Sequence, residues 1–128
     1  MTIDLVLLLW VIALAFIHIV VAAAGATGQI GFGTLAGNRE NLPELTGWAG
    51  RARRAQQNMF ETLPLFIALV LMAHIARRTD GISVLGEEVY LVARVAYLLI
   101  YLAGIAWLRT AVWGVSVLGM ALIFVELL

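Results

Sequence analysis

The sequence predicts an all-α integral membrane protein, a left-handed four-helix bundle of antiparallel transmembrane helices. Of its 128 residues, 63% are hydrophobic and only 12% are charged, with a mean hydropathy of +1.02. A soluble domain carries about 25% charged residues, so too little polar surface remains here to cover a conventional core. A helix crosses a bilayer with about 20 apolar residues, and the length therefore allows roughly four crossings. We interpret residues 1–128 as a single transmembrane domain.

The first helix is predicted over residues 3–24, where a long apolar run follows Asp4. The run is longer than the apolar core of a secretory signal, which has about 7–15 residues, and no basic residue precedes it. We therefore interpret it as a retained membrane helix. Five glycines between Gly25 and Gly37, followed by polar residues and Pro43, predict the one long loop, over residues 25–46.

Three further helices follow. The second is predicted over residues 47–76; at 1.5 Å per residue it is about 45 Å long and should project into the headgroup layer. Pro64 lies inside it and should kink it. The sequence RRTDG at 77–81 predicts a turn, and the third and fourth helices are predicted over residues 84–107 and 110–128, joined around Arg109. Because that junction is so short, the last two helices should be antiparallel neighbours.

The distribution of arginine predicts how the chain is oriented in the membrane. Five arginines lie on the side of the long loop and two on the opposite side, namely Arg39, Arg51, Arg53, Arg54 and Arg109 against Arg77 and Arg78. Basic residues are enriched in cytoplasmic loops. The long loop is therefore expected in the cytoplasm and both termini on the other side, and the compact loops suggest a bacterial inner membrane.

Composition also excludes several kinds of function. The net charge is zero, so no basic face is available to bind nucleic acid. There is no cysteine, so any thiol chemistry must use a thiol that a ligand brings. His18 and His74 have no second ligand at metal-binding spacing, and we predict no metal site. His18 is expected to form a hydrogen bond between helices, and His74 to lie at the membrane interface.

Polar residues follow one face of the second predicted helix and one face of the third. Arg54, Asn58 and Glu61 have the spacing i, i+4, i+7, which places them on one stripe of a helix. The third helix carries a second stripe with the spacing i, i+3, i+7, consisting of Arg94, Tyr97 and Tyr101. Two such stripes facing each other would form a polar cleft.

Glu61 and Arg94 both lie within apolar runs, where a lone charge costs about 2.5–3.5 kcal/mol on insertion scales. Each therefore needs a partner, and we predict that they form an ion pair across the cleft. Arg109 should lie at the cleft's mouth, on the arginine-rich side. The pair alone is equally consistent with a clamp between two helices, but the other polar residues exceed what one ion pair requires.

The segments that carry these residues resemble a known family. The sequences RAQQNMFETLPLF and RVAYLLIYLAGIAWLRT look like those of the MAPEG family, the membrane-associated proteins of eicosanoid and glutathione metabolism. The resemblance covers nearly the whole chain. It implies a homotrimer of four-helix subunits that binds glutathione between neighbouring subunits, at the cytoplasmic side.

The resemblance also implies roles for single residues. Seven positions match glutathione contacts of the family, namely Arg54, Gln56, Asn58, Glu61, Arg94, Tyr97 and Tyr101. Arg109 resembles the arginine that stabilises the glutathione thiolate, and with Tyr101 as a hydroxyl donor it forms the predicted catalytic pair. A free thiol has a pKa near 8.5, and a neighbouring cation raises its thiolate fraction.

The function that this implies is a glutathione-dependent transferase or peroxidase, which uses glutathione as co-substrate and acts on lipophilic electrophiles or lipid hydroperoxides. One alternative is a non-catalytic scaffold of the same fold or an accessory subunit of a larger membrane complex. It is favoured by the sequence GQIGFG, which lacks the arginine that the family carries near the end of helix 1. A small proton-coupled exporter is a third reading, although the first helix carries no acid except Asp4.

Overall fold

The computed structural model describes all residues from 1 to 128 and contains only α-helices, which confirms the all-α prediction. Four helices are long and one is short. In chain order they are α1 (Ile3–Ile30), α2 (Phe32–Ala36), α3 (Gly47–Ile75), α4 (Gly81–Ala103) and α5 (Ala106–Leu127).

Each of the four long helices runs antiparallel to the next one along the chain. Asp4, near the start of α1, contacts His74 near the end of α3, with 2.7 Å between the carboxylate oxygen Oδ2 and the ring nitrogen Nδ1. Arg78, just before α4, donates from its guanidinium to the carbonyl oxygen of Glu126 near the end of α5, at 3.4 Å. We call this end of the bundle, where both chain termini lie, the termini end. The opposite end, which carries α2 and the segment 37–46, is the loop end.

The closest helix contact joins α4 to α5 through two glycines. A Cβ atom added to Gly86 would lie 2.5 Å from the carbonyl oxygen of Gly119, and one added to Gly119 would lie 2.6 Å from that of Gly86. The two backbones therefore touch. Small residues allow this approach between membrane helices, where packing replaces the hydrophobic effect as the main source of association.

Three of the helices, α1, α3 and α5, are long and apolar enough to cross a membrane. Many large apolar side chains on their outer faces are exposed, among them Trp10, Phe16 and Leu118. The fourth long helix, α4, has 23 residues but carries the charged residues Glu87 and Arg94 on its buried side and Glu88 on its exposed side. An apolar outer surface on this scale is that of a protein surrounded by lipid.

The first predicted helix ends too early at residue 24, because α1 continues to Ile30. Two contacts with the start of α3 hold the extra turns in place. Gly25 packs so closely on Ala49 that an added Cβ would lie 2.8 Å from the Ala49 Cβ. The Gln29 side chain donates to the carbonyl of Thr46 at 2.7 Å and accepts from its amide at 3.0 Å. The predicted loop also contains the short helix α2.

The last two helices both begin earlier than predicted. Helix α4 begins at Gly81 because the Asp80 carboxylate accepts hydrogen bonds from the amides of Ile82 and Ser83, at 2.9 and 3.1 Å. The bond from the Ser83 amide lowers the pKa of Asp80. Helix α4 then ends before Gly104, whose left-handed conformation (φ +82°) suits glycine. Only Gly104 and Ile105 join it to α5, so Arg109 lies inside α5 and not in the predicted junction.

A buried hydroxyl pair offers a test of the α3–α4 contact. The hydroxyl groups of Thr62 and Tyr90 lie 2.8 Å apart in the core, and the Tyr90 ring stacks on Phe66 with 4.0 Å between ring centres. Thr62→Val should lower the free energy of unfolding by about 1–3 kcal/mol, because the Tyr90 hydroxyl loses its partner. Thermal unfolding in detergent measures this. The double variant Thr62→Val/Tyr90→Phe should recover most of the loss, and equal losses in both variants would contradict the pairing.

Candidate functional site

A polar cleft of about 400 Å³ opens at the loop end between α3, α4 and α5. This volume is within the range of small-molecule sites, about 300–1,000 Å³. Six of its nine lining residues are polar or charged side chains of α3 and α5, and the other three are aromatic. They are Arg54, Gln57, Asn58, Glu61, Tyr97, Tyr101, Arg109, Thr110 and Trp113.

The two stripes predicted from the sequence meet in this cleft. The Arg54 guanidinium donates from Nε to the Tyr101 hydroxyl, at 3.2 Å. One turn further into the bundle, Arg94 donates from Nη1 to the Asn58 side-chain oxygen, at 2.9 Å. Two separate hydrogen bonds therefore join α3 to α4 along the predicted faces.

Positive charge collects around Tyr101. The Arg109 guanidinium carbon lies 4.7 Å from the centre of the Tyr101 ring, and that of Arg54 lies 6.0 Å from it. Neither arginine has a carboxylate within 4 Å, since the one ion pair of the structure joins Asp4 to His74. Two arginines without anionic partners, in a partly enclosed cleft, favour an anionic ligand.

The predicted ion pair between Glu61 and Arg94 is wrong. Arg94 is fully buried and bonds to Asn58, whereas Glu61 is exposed on the wall of the cleft. The physical reason is that a neutral amide satisfies an arginine N–H without burying a carboxylate, which would cost several kcal/mol. Arg94 does not line the cleft; its guanidinium lies 4.2 Å from the Tyr97 ring centre, behind the lining residues.

Gln56 is the one predicted site residue that lies apart from the others. Its side chain lines a second cavity of about 540 Å³ between α1, α2 and α3, together with Arg39 and Arg53. Gln57 lies on the lining of both cavities, so it takes the place in the cleft that the sequence assigned to Gln56. Gln56 turns away because it is two residues from Arg54, which places it on a different side of the helix.

Three lining residues were missed by the sequence analysis. Gln57 is three residues after Arg54, a spacing that places both on one face and was sufficient to find it. Thr110 and Trp113 were missed because the last helix was predicted to begin after Arg109. With Arg109 inside α5, the spacing i, i+4 brings Trp113 to the same wall.

The two histidines lie outside the cleft. The predicted hydrogen bond of His18 is wrong, because both ring nitrogens are buried and have no partner. His74 is partly exposed at the termini end and is bonded to Asp4. Arg94 on α4 lies close enough for its charge to act on His18, but its guanidinium donates to Asn58 instead, and the His18 nitrogens are left without a partner.

Comparison with known proteins identifies the family of the chain. A sequence model of the MAPEG family matches residues 7–128, all of the chain except its first few residues. Comparisons with curated proteins and with solved structures gave no match. The match covers every residue of the cleft and all of the helices except the first four residues of α1, and it confirms the resemblance inferred from the sequence. The chain, with its three apolar helices, is an integral membrane protein that belongs to the MAPEG family.

Proposed function

We propose that the protein is a glutathione-dependent transferase or peroxidase that acts on lipophilic electrophiles or lipid hydroperoxides. The single observation that supports this most is the cleft's charge pattern. The guanidinium carbons of Arg54 and Arg109 lie 6.0 and 4.7 Å from the Tyr101 ring centre without carboxylate partners, and Glu61 lines the same cleft as an exposed acid. The MAPEG family includes glutathione-dependent transferases and peroxidases.

Glutathione carries two carboxylates, one ammonium group and one thiol, and the cleft has a complementary group for each. Arg54 would hold a carboxylate, since guanidinium groups bind carboxylates through paired hydrogen bonds. Glu61 would accept from the ammonium group. The Asn58 oxygen already accepts from Arg94, so its NH₂ group is the part left to donate to the ligand. Arg94 would thus act as a positioning residue that sets how the Asn58 amide is turned.

The chemistry would depend on Arg109 and Tyr101. A cation next to a thiol stabilises the thiolate, which is the nucleophilic form. The Tyr101 oxygen accepts from Arg54, and its own O–H is therefore available to donate to the sulfur. In a transferase the thiolate would form a C–S bond with an electrophilic carbon while the leaving group departs with the bonding electron pair. In a peroxidase it would attack one oxygen of the hydroperoxide, so that the O–O bond breaks and the alkoxide takes a proton and leaves as an alcohol. A second glutathione would then reduce the resulting sulfenic acid, giving glutathione disulfide and water. Trp113 lies on the cleft wall and would contact the apolar part of that substrate.

The proposed assembly is a homotrimer with four membrane crossings per subunit and a site between neighbouring subunits. The resemblance makes Gln56 a glutathione contact, yet Gln56 does not line its own subunit's cleft, and a site shared between subunits would account for both. We place the loop end at the cytoplasmic face of a bacterial inner membrane, because five of the chain's eight arginines belong to that end.

Isothermal titration of the detergent-purified protein with glutathione tests the proposal. The wild-type protein should release heat on binding, and Glu61→Gln should weaken binding about 10- to 100-fold, the effect of losing a hydrogen bond between charged groups. Glu88→Gln is the matched control, because Glu88 is an exposed acid of α4 outside the cleft. If an intact oligomer shows no heat with millimolar glutathione, the scaffold or accessory-subunit reading takes its place.

A further inference from the structure

The inner face of α4 carries polar side chains along its whole length. Six residues with alternating spacings of four and three are all buried, namely Ser83, Glu87, Tyr90, Arg94, Tyr97 and Tyr101. At 1.5 Å per residue they extend over about 27 Å, close to the 30 Å of a bilayer's hydrocarbon core. The half from Arg94 to Tyr101 belongs to the cleft and its surroundings. The half at the termini end has no part in the proposed chemistry.

Glu87 is the central residue of that unused half. It is fully buried, and neither of its carboxylate oxygens has a hydrogen-bond partner. Asp4 of α1 is also fully buried and lies close enough for its charge to act on Glu87. One Asp4 oxygen contacts His74, and the other, Oδ1, has no partner. His74 is 37% exposed, so this group of three side chains reaches the surface.

No cation neutralises Glu87, because the structure's one ion pair joins Asp4 to His74. The other charged groups near Glu87 come from the elements around it. Glu88 follows it on α4. The α5 side chains beside Gly86 are the apolar Leu122 and Ile123, and the acid of α5, Glu126, lies further out near Arg78. A buried carboxylate without a partner costs far more free energy than a buried neutral acid. Glu87 therefore avoids this cost only by holding a proton.

We propose that Glu87 is a proton-binding site within the bundle and that His74 and Asp4 form the relay that connects it to water at the termini end. In the relay, His74 takes a proton from water and donates one from Nδ1 to Asp4 over 2.7 Å. Asp4 lies close enough for its charge to act on Glu87 but is not hydrogen-bonded to it, so the proton would cross the remaining gap through one intervening water molecule, leaving Glu87 as a neutral acid and Asp4 as an anion. Each transfer moves one proton and needs no other reactant.

The site is closed on the side of the cleft. The next turn of α4 places Tyr90 against Phe66 and Thr62, which fill the space with a stacked ring and a satisfied hydroxyl pair. Beyond them lies the permanent positive charge of Arg94, and a fixed arginine excludes protons from a path. Protons therefore reach Glu87 only from the termini end. None of these residues lines the cleft, so a test of the relay is independent of glutathione.

Infrared difference spectroscopy of the protein in lipid vesicles tests the proton site. At neutral pH the wild-type protein should show the carbonyl stretching band of a protonated carboxyl group, and Glu87→Gln should remove it. Glutamine matches the neutral acid in size and polarity, so this variant should fold. Glu88→Gln is the matched control and should retain the band. If the wild-type protein lacks the band, or if Glu87→Gln retains it, Glu87 is not the proton site.

Hydrogen–deuterium exchange of the same band tests the relay. After transfer to heavy water the band should shift at least about tenfold more slowly in His74→Leu than in the wild-type protein, a change of about 1.4 kcal/mol in the exchange barrier. His18→Leu removes the other histidine and should exchange like the wild-type protein. Equal exchange in His74→Leu and the wild-type protein would overturn the relay even if the band at Glu87 is present.

Discussion

Arg109→Ala is expected to lower kcat for glutathione conjugation by about 100-fold, the effect of removing one group that stabilises a developing anion. Its guanidinium lies 4.7 Å from the Tyr101 ring centre and has no carboxylate partner. In the proposed mechanism its charge is directed to the glutathione sulfur. Without that charge less of the bound thiol is ionised at neutral pH, while the residues that hold the rest of glutathione are unchanged.

Steady-state kinetics with a lipophilic electrophile over a range of pH measures this effect. Because the missing cation raises the thiol's pKa, the acid side of the rate profile should move to higher pH in Arg109→Ala. KM for glutathione should change much less than kcat. Arg77→Ala, which removes an exposed arginine of the termini end, should leave both constants unchanged. A wild-type kcat in Arg109→Ala would exclude Arg109 as the catalytic cation.

Gly119→Ala should lower the stability of the protein, because the added methyl group would collide with the backbone of α4. The added Cβ would meet the Gly86 carbonyl oxygen at 2.6 Å and the Tyr90 amide nitrogen at 2.9 Å. Both are backbone atoms of α4, so the helices must separate to relieve the contact. Overpacking of this kind costs about 1–3 kcal/mol. The separation would also spread α5, which carries Arg109, away from the α4 wall of the cleft.

Gly114→Ala is the matched control on the same helix. A Cβ atom there has no heavy atom within 4 Å, so the change should leave stability equal or raise it by up to about 1 kcal/mol through helix propensity. Thermal unfolding followed by tryptophan fluorescence in detergent compares the two variants. Equal unfolding temperatures would mean that α4 and α5 do not touch at Gly86 and Gly119.

Much of the fold and the faces of the cleft followed from periodicity alone. The spacings on α3 and α4 select one side of each helix, and the hydrogen bonds of Arg54 and Asn58 across to α4 lie on those sides. Periodicity does not determine which residue of a stripe meets which residue of the other. The Glu61–Arg94 pairing was wrong for this reason, since Asn58 is one turn away on the same face and reaches Arg94 first.

The positions of the helix ends, and the question of which acid is buried, depend on tertiary contacts that the local sequence does not reveal. Glycines normally end a helix, yet Gly25 continues α1 because it allows close packing on Ala49. Of the neighbours Glu87 and Glu88, one is buried and the other is exposed. The choice between them depends on how α4 is rotated in the bundle, and composition carries no signal for that rotation.

The junction between α4 and α5 consists of Gly104 and Ile105, and α3 braces it. The Arg51 side chain donates from Nε to the Leu102 carbonyl at 3.1 Å and passes within 4 Å of the Gly104 position. Arg109 lies in α5, one helical turn after Ile105. Its charge is therefore preorganised, because a connector of two braced residues leaves little slack for α5 to swing. Such a group stabilises an anion without first having to rearrange, which is the condition under which electrostatic catalysis is strongest.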